Sequence, residues 1–595
     1  MIVQPRWVVS MGKTVLETLK GFNNHNPTWN VGNDKTLMKR KEISYFLAGI
    51  ALIIALNVFA SSFIYRIDLT EDKRYTILDA TKKTIENLED EVVIKIYLEG
   101  DGLPAEFKRM RNAIAQTLDE FKVYAGANLK YRFIDPMKLE EAQKDSLFKE
   151  LSQKGIKATN IKVTEDGKKV EKLIFPGAIM SYKGTEKAIL LLKGDQKASV
   201  ANPAQILNQS IENLEYEFGA AIKQMTSKQS KKIGFLFGHG ELQLLQVADT
   251  DRSLRESYQT FNVDLTKSKD LYGLDAIIVA KPTESFSDDD KYKIDQFIMR
   301  GGKALFFIDA LDVREDSIRN KDGAVAFPYE HKLTDMFFRY GVRFNDDFIE
   351  DLSCGQLALI VGNMGDKPQM EQMMWKHYPL ITNFFPHPIV RNLDALYTRY
   401  VSTLDTVKAE GIRKIPLAMT SNDTKIMKPI IKITYNDARE QPKLEDYKAG
   451  AKTVAYLLEG KFTSLFRNRI TPTDARSKDF VEKGTETKIL ICSDGDIIRN
   501  EANYKKGAYM PLGFDKNTGV TFANKKFILN AVDYLLDDKG IILARNKEIK
   551  MRPLDKNKLQ NERTKWQFIN MVVPVLMVVI FGLLFGYWRK RKYGK

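Results

Sequence analysis

A chain of 595 residues is long enough for several domains that each bury a core, and its two cysteines, Cys354 and Cys492, exclude a disulfide-framework scaffold. A formal charge of +15 would suggest a nucleic-acid partner if it were spread over the surface, but it is concentrated at the ends. Residues 1–42 carry seven Lys or Arg against three acids, the tail "RKRKYGK" carries five against none, and the nearly balanced remainder does not imply nucleic acid.

In chain order, the N-terminal tail (1–42) contains Gly12, Lys13 and Thr14, the ending of a phosphate-binding loop. Trp7 stands where that loop needs its first glycine, so the match is false and no nucleotide cofactor is expected. Residues 43–65, "ISYFLAGIALIIALNVFASSFIY", hold no charge and are long enough to cross about 30 Å of hydrocarbon as a helix. Residues 566–588, "WQFINMVVPVLMVVIFGLLFGYW", repeat the pattern, with Trp566, Tyr587 and Trp588 where amphipathic rings favour the headgroup level. Basic flanks stay in the cytoplasm, so the sequence predicts two spans, both termini cytoplasmic and a large periplasmic middle in a bacterial inner membrane. Asn57 in the first span and the Gly582, Gly586 pair in the second are candidate helix-packing positions.

Between the spans, residues 66–228 read as βαβα followed by strands. The helices are expected at about 104–124 and 140–154, three strand-like runs follow to residue 192, and a helix runs out over 203–225. Pro176 before "GAIMSY" gives this segment a thioredoxin-like look. It holds no cysteine, so a redox role is excluded and the fold would serve as a scaffold.

Residues 229–552 alternate strand and helix, as in a doubly wound α/β domain of the flavodoxin or amidotransferase kind. Ser287 with Asp290 forms a capping box, and Gly301-Gly302 supplies the stop. A linker (553–565) leads to the second span, and a basic tail (589–595) ends the chain.

The strand "KIGFLF" runs into Gly238, His239, Gly240 and Glu241. Glycines at a strand end let a backbone approach an anion, but the third glycine of the dinucleotide fingerprint is Gln243. His239 and Glu241 could serve a structural turn, a ligand or partner contact, or catalysis. The other histidines, His25, His331, His377 and His387, show no metal-ligand spacing, and no metal is expected. "ICSDGDII" sets Cys492, Asp494 and Asp496 at a strand end. A thiol nucleophile or metal carboxylates are possible there, and a cysteine packed in an apolar strand is the simpler reading.

The segments "RIDLTEDKRYTILDATKKTIENLEDEVVIKIYLEGDGLPAEFKRMRNAIAQTLDEF", "FLFGHGEL", "LLEGKFTSLFRNR", "NAVDYLL" and "RTKWQFINMVVPVLM" resemble the GldG family, gliding-motility-associated ABC-transporter components of Bacteroidetes. The resemblance runs from about residue 39 to the end. It implies an inner-membrane protein working with a separate ATPase and a separate permease in gliding and its associated secretion, and it brings no catalytic residues and no substrate; with two anchors, a large outer region and no energy-converting site, the chain reads as a non-catalytic accessory subunit. A membrane-tethered solute-binding protein with its pocket beside His239, or a periplasmic hydrolase or amidotransferase-like enzyme, are the alternatives.

Overall fold

The computed structural model describes residues 44, 47–55, 76–100, 102–165, 168–192, 203–227, 230–318, 323–364, 367–470, 474–546 and 556–593. Two units separate in it. One spans residues 1–69 and 75–547, and the other comprises residues 70–74 and 548–595.

The first layer follows from apolar periodicity. Helix α1 (Asp79–Glu86) leads to β1 (Val92–Ile96), α2 (Ala105–Ala125), β2 (Leu129–Phe133) and α3 (Glu141–Gln153). Met110, Ile114, Leu118 and Phe121 recur at helical spacing on α2 and pack on Val92, Ile94 and Ile96 of β1. Where three strand-like runs are expected, the structure has four: β3 (Thr159–Glu165), β4 (Lys168–Ile174), β5 (Gly177–Tyr182) and β6 (Thr185–Leu190). The first two pair only with each other, while β5 and β6 complete a sheet of order β2-β1-β5-β6, in which β1 and β2 are parallel and the other pairs antiparallel.

The helix expected over 203–225 breaks into α4 (Pro203–Glu212) and α5 (Leu214–Thr226) at Asn213, whose amide bonds back to the Gln209 carbonyl at 2.8 Å. Asparagine competes for backbone partners in this way and weakens a helix interior.

The larger sheet is built on β7 (Lys232–Phe237), β8 (Gln259–Asp264), β9 (Ala276–Ala280) and β10 (Lys303–Phe307). A long ribbon, β11 (Cys354–Met364) with β12 (Lys367–Ile381), forms its own sheet. The large sheet is completed by β13 (Asn383–Phe384), β14 (Ile412–Met419), β15 (Thr453–Thr463) and β16 (Lys483–Cys492), in the order β13-β14-β15-β16-β10-β9-β7-β8. The five strands from β16 to β8 are parallel, and β15, β14 and β13 continue antiparallel, so the sheet is mixed rather than wholly parallel.

Both faces of its centre are covered, which explains the continuous apolar runs in the sequence. Leu305, Phe307 and Leu490 face a core with Phe527, Ile528, Ala531 and Val532 of α9 (Asn524–Leu536). Ala304, Phe306 and Ile489 face the opposite core, with Ile294 and Ile298 of α7 (Asp288–Met299) and Met336 and Phe337 of α8 (Thr334–Tyr340). Helix α6 (Ala248–Arg255) connects β7 to β8. Ser287 caps α7 as expected, its hydroxyl accepting from the Asp290 N–H, but the Asp290 carboxylate turns to the Ser287 hydroxyl and to His239.

The two layers meet on a half-buried carboxylate. Asp533 of α9 accepts from the Tyr216 hydroxyl of α5 at 2.8 Å and from the Tyr258 hydroxyl at 2.7 Å.

In the second unit, α10 (Lys556–Tyr593) is one continuous helix of 38 residues containing Pro574. Its segment 561–591 has a mean hydropathy of 2.7 in its most apolar stretch, none of which is buried, and it is long enough to cross a membrane. It is the one such helix among the described residues. Residues 47–55 of the first expected span are helical, with Leu47, Leu52, Ile53 and Ile54 exposed. The rest of that span, Asn57 included, lies outside the described residues. Gly582 and Gly586 have no neighbour within 4 Å of where a side chain would begin.

Candidate functional site

Open α/β sheets collect ligands at the carboxyl ends of their strands, where successive crossovers diverge. Here the chain leaves β7 for β8 on one side and returns to β9 on the other, so the divergence falls between β7 and β9. His239 follows the first of these strands and Lys281 the second.

The Gly238–Glu241 turn is closed. Gly240 sits at φ +70°, and a Cβ there would fall 2.1 Å from the Thr283 hydroxyl, so only glycine fits. The His239 carbonyl accepts the Thr283 and Glu284 N–H groups, each at 2.9 Å, stitching the turn to the loop after β9. The imidazole stacks on Phe286 with centroids 3.8 Å apart. Its Nε2 lies 3.2 Å from Asp290 and its Nδ1 3.6 Å from Glu241, whose other oxygen accepts the His239 N–H at 2.7 Å. Burial disfavours the imidazolium, but Glu241 and then Asp290 outweigh it and hold the His239 pKa above its ordinary value. The residue is 3% exposed, and His239 Nδ1 and the facing Glu241 oxygen, 3.6 Å apart, are buried with no hydrogen-bond partner, so they attract each other only as charges.

The adjoining strand ends carry a second cluster. Lys281 adopts φ +51°, uncommon for a residue with a side chain, and its ammonium lies 2.8 Å from Asp309 and 2.5 Å from Asp496. Asp309, Asp494 and Asp496 bring carboxylate oxygens within 4.8 Å of one another, a spacing that suits a divalent cation. The lysine ammonium already bridges two of the three, so the lysine supplies the positive charge such a cation would bring. Burial raises the Asp494 pKa well above the carboxylate range, reinforced by Asp309 and Asp496. Asp496 is shifted down: burial opposes, and Arg499, Lys281 and Arg399 prevail. Cys492, fully buried in the core, has its thiol pushed well up by desolvation, the opposite of an activated nucleophile. Cys354 and Cys492 are both free thiols.

The cluster continues into a region that no motif in the sequence marks. Asp494 accepts the Arg399 N–H at 3.1 Å. The Arg399 guanidinium reaches Glu315 at 3.2 Å and Glu501 at 2.7 Å, and lies 5.3 Å from the Tyr378 ring centroid and 5.4 Å from that of Tyr397. Above it opens a cavity of about 490 Å³, walled by Trp375, Tyr378, Tyr397, Tyr400 and Tyr435, with Arg439 and Lys516 among its other lining residues. The aromatic interleaving in "WKHY" (375–378) and "YTRY" (397–400) is the sequence signal that points to it.

A relative from Borreliella burgdorferi, described as an uncharacterized protein, is 22% identical over 586 residues, covering 93% of this chain and 100% of its own. A solved structure, the mmIFT52 N-terminal domain, aligns over 52% of this chain and 98% of its own at 12% identity, and its TM-score of 0.28 carries no argument about fold. A family model for a domain of unknown function matches residues 71–181. A second, described as an ABC-type uncharacterized transport system, matches residues 230–531, which hold the mixed sheet, the His239 turn and the Arg399 cavity. The chain belongs to this family of auxiliary components of ABC-type transport systems.

Proposed function

We propose that the protein is a non-catalytic accessory subunit that holds a large periplasmic body against an ABC transporter, docking on a separate permease and, through it, a separate ATPase. The family match over residues 230–531 carries this reading. The exposed apolar helix α10 supports an anchor, and its basic end supports a cytoplasmic C-terminus. A second span at 43–65 would place the N-terminus on the same side. The role in gliding and secretion rests on the resemblance to the GldG family.

For residues 66–228, the strand order β2-β1-β5-β6 and the position of Pro176 before β5 favour a thioredoxin-like scaffold. The five parallel strands favour a doubly wound core for residues 229–552, with the antiparallel edge as its departure. Enclosure of His239 and Cys492 gives the hydrolase reading no support, and a pocket beside His239 finds none either.

The test is purification of the tagged full-length chain in mild detergent, with identification of the chains that accompany it. An ABC ATPase and a polytopic permease are expected at fixed ratios. Recovery of the chain with neither, under conditions that keep other ABC complexes together, would overturn the reading.

A further inference from the structure

The cavity above Arg399 has the size of a small-molecule site, since such sites occupy roughly 300–1,000 Å³ and are lined by aromatic and apolar side chains around a few fixed polar groups. Its walls come from five separate parts of the chain: the β11–β12 ribbon, the 397–400 loop, the short helix Glu315–Ile318, the turn bearing Arg439 and the turn bearing Lys516. Trp375 is 1% exposed and Tyr400 4%, so packing fixes these rings behind the wall, and the apolar surface open to a ligand comes from Tyr435, Ile360 and Met370.

The charge of the ligand follows from what the residues already satisfy. A box of tyrosines beside carboxylates could hold an organic cation. This one already holds its own: the Arg399 guanidinium sits by Tyr378 and Tyr397, and Glu315 and Glu501 neutralise it. A guanidinium has five N–H donors, of which these two carboxylates use one each. Donor capacity therefore remains on a side chain that lines the cavity. Arg439 and Lys516 are exposed, and neither has an ion-pair partner among the described residues; Arg439 donates to the Ile360 carbonyl at 3.1 Å. Against these two cations the lining sets one exposed acid, Asp316.

We propose that this cavity binds a small organic anion whose oxyanion head meets Arg399, Arg439 and Lys516 and whose flat apolar body lies against Tyr435, Ile360 and Met370. The site is independent of the His239 turn, and it does not depend on which transporter the protein serves. Its failure would leave the accessory reading intact, and failure of the co-purification test would leave the site intact.

The experiment is equilibrium dialysis of the full chain in nanodiscs, with empty nanodiscs as control, against 2-naphthoate, 2-naphthyl phosphate and the neutral 2-naphthalenemethanol. Both anions should bind saturably, and the neutral alcohol at least about tenfold more weakly, since tenfold is the loss expected for even one charge-assisted contact. The ratio of carboxylate to phosphate affinity identifies the preferred head group.

The double variant Arg439→Gln with Lys516→Gln alters only exposed side chains, so it should keep its unfolding midpoint while losing about tenfold in affinity for both anions. Arg399→Lys should weaken binding further where it folds. Three outcomes would overturn the proposal: no saturable binding of either anion at millimolar concentration, equal affinity for the alcohol, or unchanged anion affinity in the folded double variant.

Discussion

The His239 turn and the Arg399 cavity lie in the same body, and they are built in opposite ways. In the turn, four consecutive residues and the loop after β9 close on one another, the ring ends 3% exposed, and the polar atoms left over, His239 Nδ1 and one Glu241 oxygen, face each other at 3.6 Å. In the cavity, residues as distant as Glu315, Trp375, Arg399 and Glu501 converge and leave donors and rings around open volume. A motif compact in sequence closes on itself because its partners are at hand. Space for a ligand arises where elements far apart in sequence fail to fill the volume between them. The Lys281 cluster lies at the carboxyl ends of the parallel strands and reaches Arg399 through Asp494.

The largest expected effect separates the cluster from the turn. Lys281→Met removes the ammonium between Asp309 and Asp496 and strands buried carboxylates, which costs about 3–5 kcal/mol. His239→Phe keeps the stacking area on Phe286 and leaves Asp290 with Ser287 and Lys293, but buried Glu241 loses its ion-pair partner and keeps only the His239 N–H, so the change should cost about 2–3 kcal/mol, less than the loss of Lys281. Urea unfolding midpoints of both variants in one detergent check the ranking. Equal losses would mean that the buried cluster does not differ energetically from the turn.

How much of each region was legible follows the same division. The runs "IGFLF", "AIIVA" and "ALFFI" announced β7, β9 and β10 because strands covered on both faces must be apolar throughout. Ser287 announced α7 because its cap is local. Strand β8, "QTFNVD", went unread: it is an edge strand, and Phe261 is among its exposed residues. Between residues 311 and 433 the pairings span long separations, such as 324–326 with 431–433, and alternation within either segment does not reveal its partner. Lys281 gave no signal at all, since one lysine after a strand looks like any exposed charge until the fold brings Asp309 and Asp496 to it.

Acid sharpens the comparison next, because buried histidines respond oppositely according to their partners. Desolvation lowers the pKa of His387 from 6.5 to about 4, and its Nδ1 accepts the Ile389 N–H at 3.3 Å. A histidine depressed in the fold contributes stability that is full above the unfolded value and is lost as pH falls toward the folded one. His387 should therefore cost at most about 3 kcal/mol between pH 6.5 and 4, and His387→Phe should flatten that limb of the stability profile. His239 runs the other way. Its pKa is raised, so its contribution is full below the ordinary histidine value and fades as pH climbs through the raised one. Midpoints of wild type, His387→Phe and His239→Gln from pH 4 to 9 should show the acid limb reduced in the first variant, with His331, likewise lowered by burial to about 4, supplying part of what remains, and the alkaline limb reduced in the second. Parallel profiles for all three would refute the assignment of either limb.

The smallest effect belongs to a pair with no part in either region. Arg343 and Asp405 meet at 2.8 Å, but both side chains are 53% exposed, so water screens the attraction and ordering two mobile side chains offsets it. Asn345 also donates to Asp405 at 3.0 Å, which keeps that carboxylate partnered when the arginine is lost. Arg343→Ala should shift stability by no more than about 0.5 kcal/mol, and by less still at high salt. The same short distance that matters greatly at Lys281 should matter little here, because the two pairs differ in burial rather than in geometry. A loss at Arg343 comparable to that of Lys281→Met would show that burial is the wrong variable, and the contrast between the closed cluster and the open surface would then need another cause.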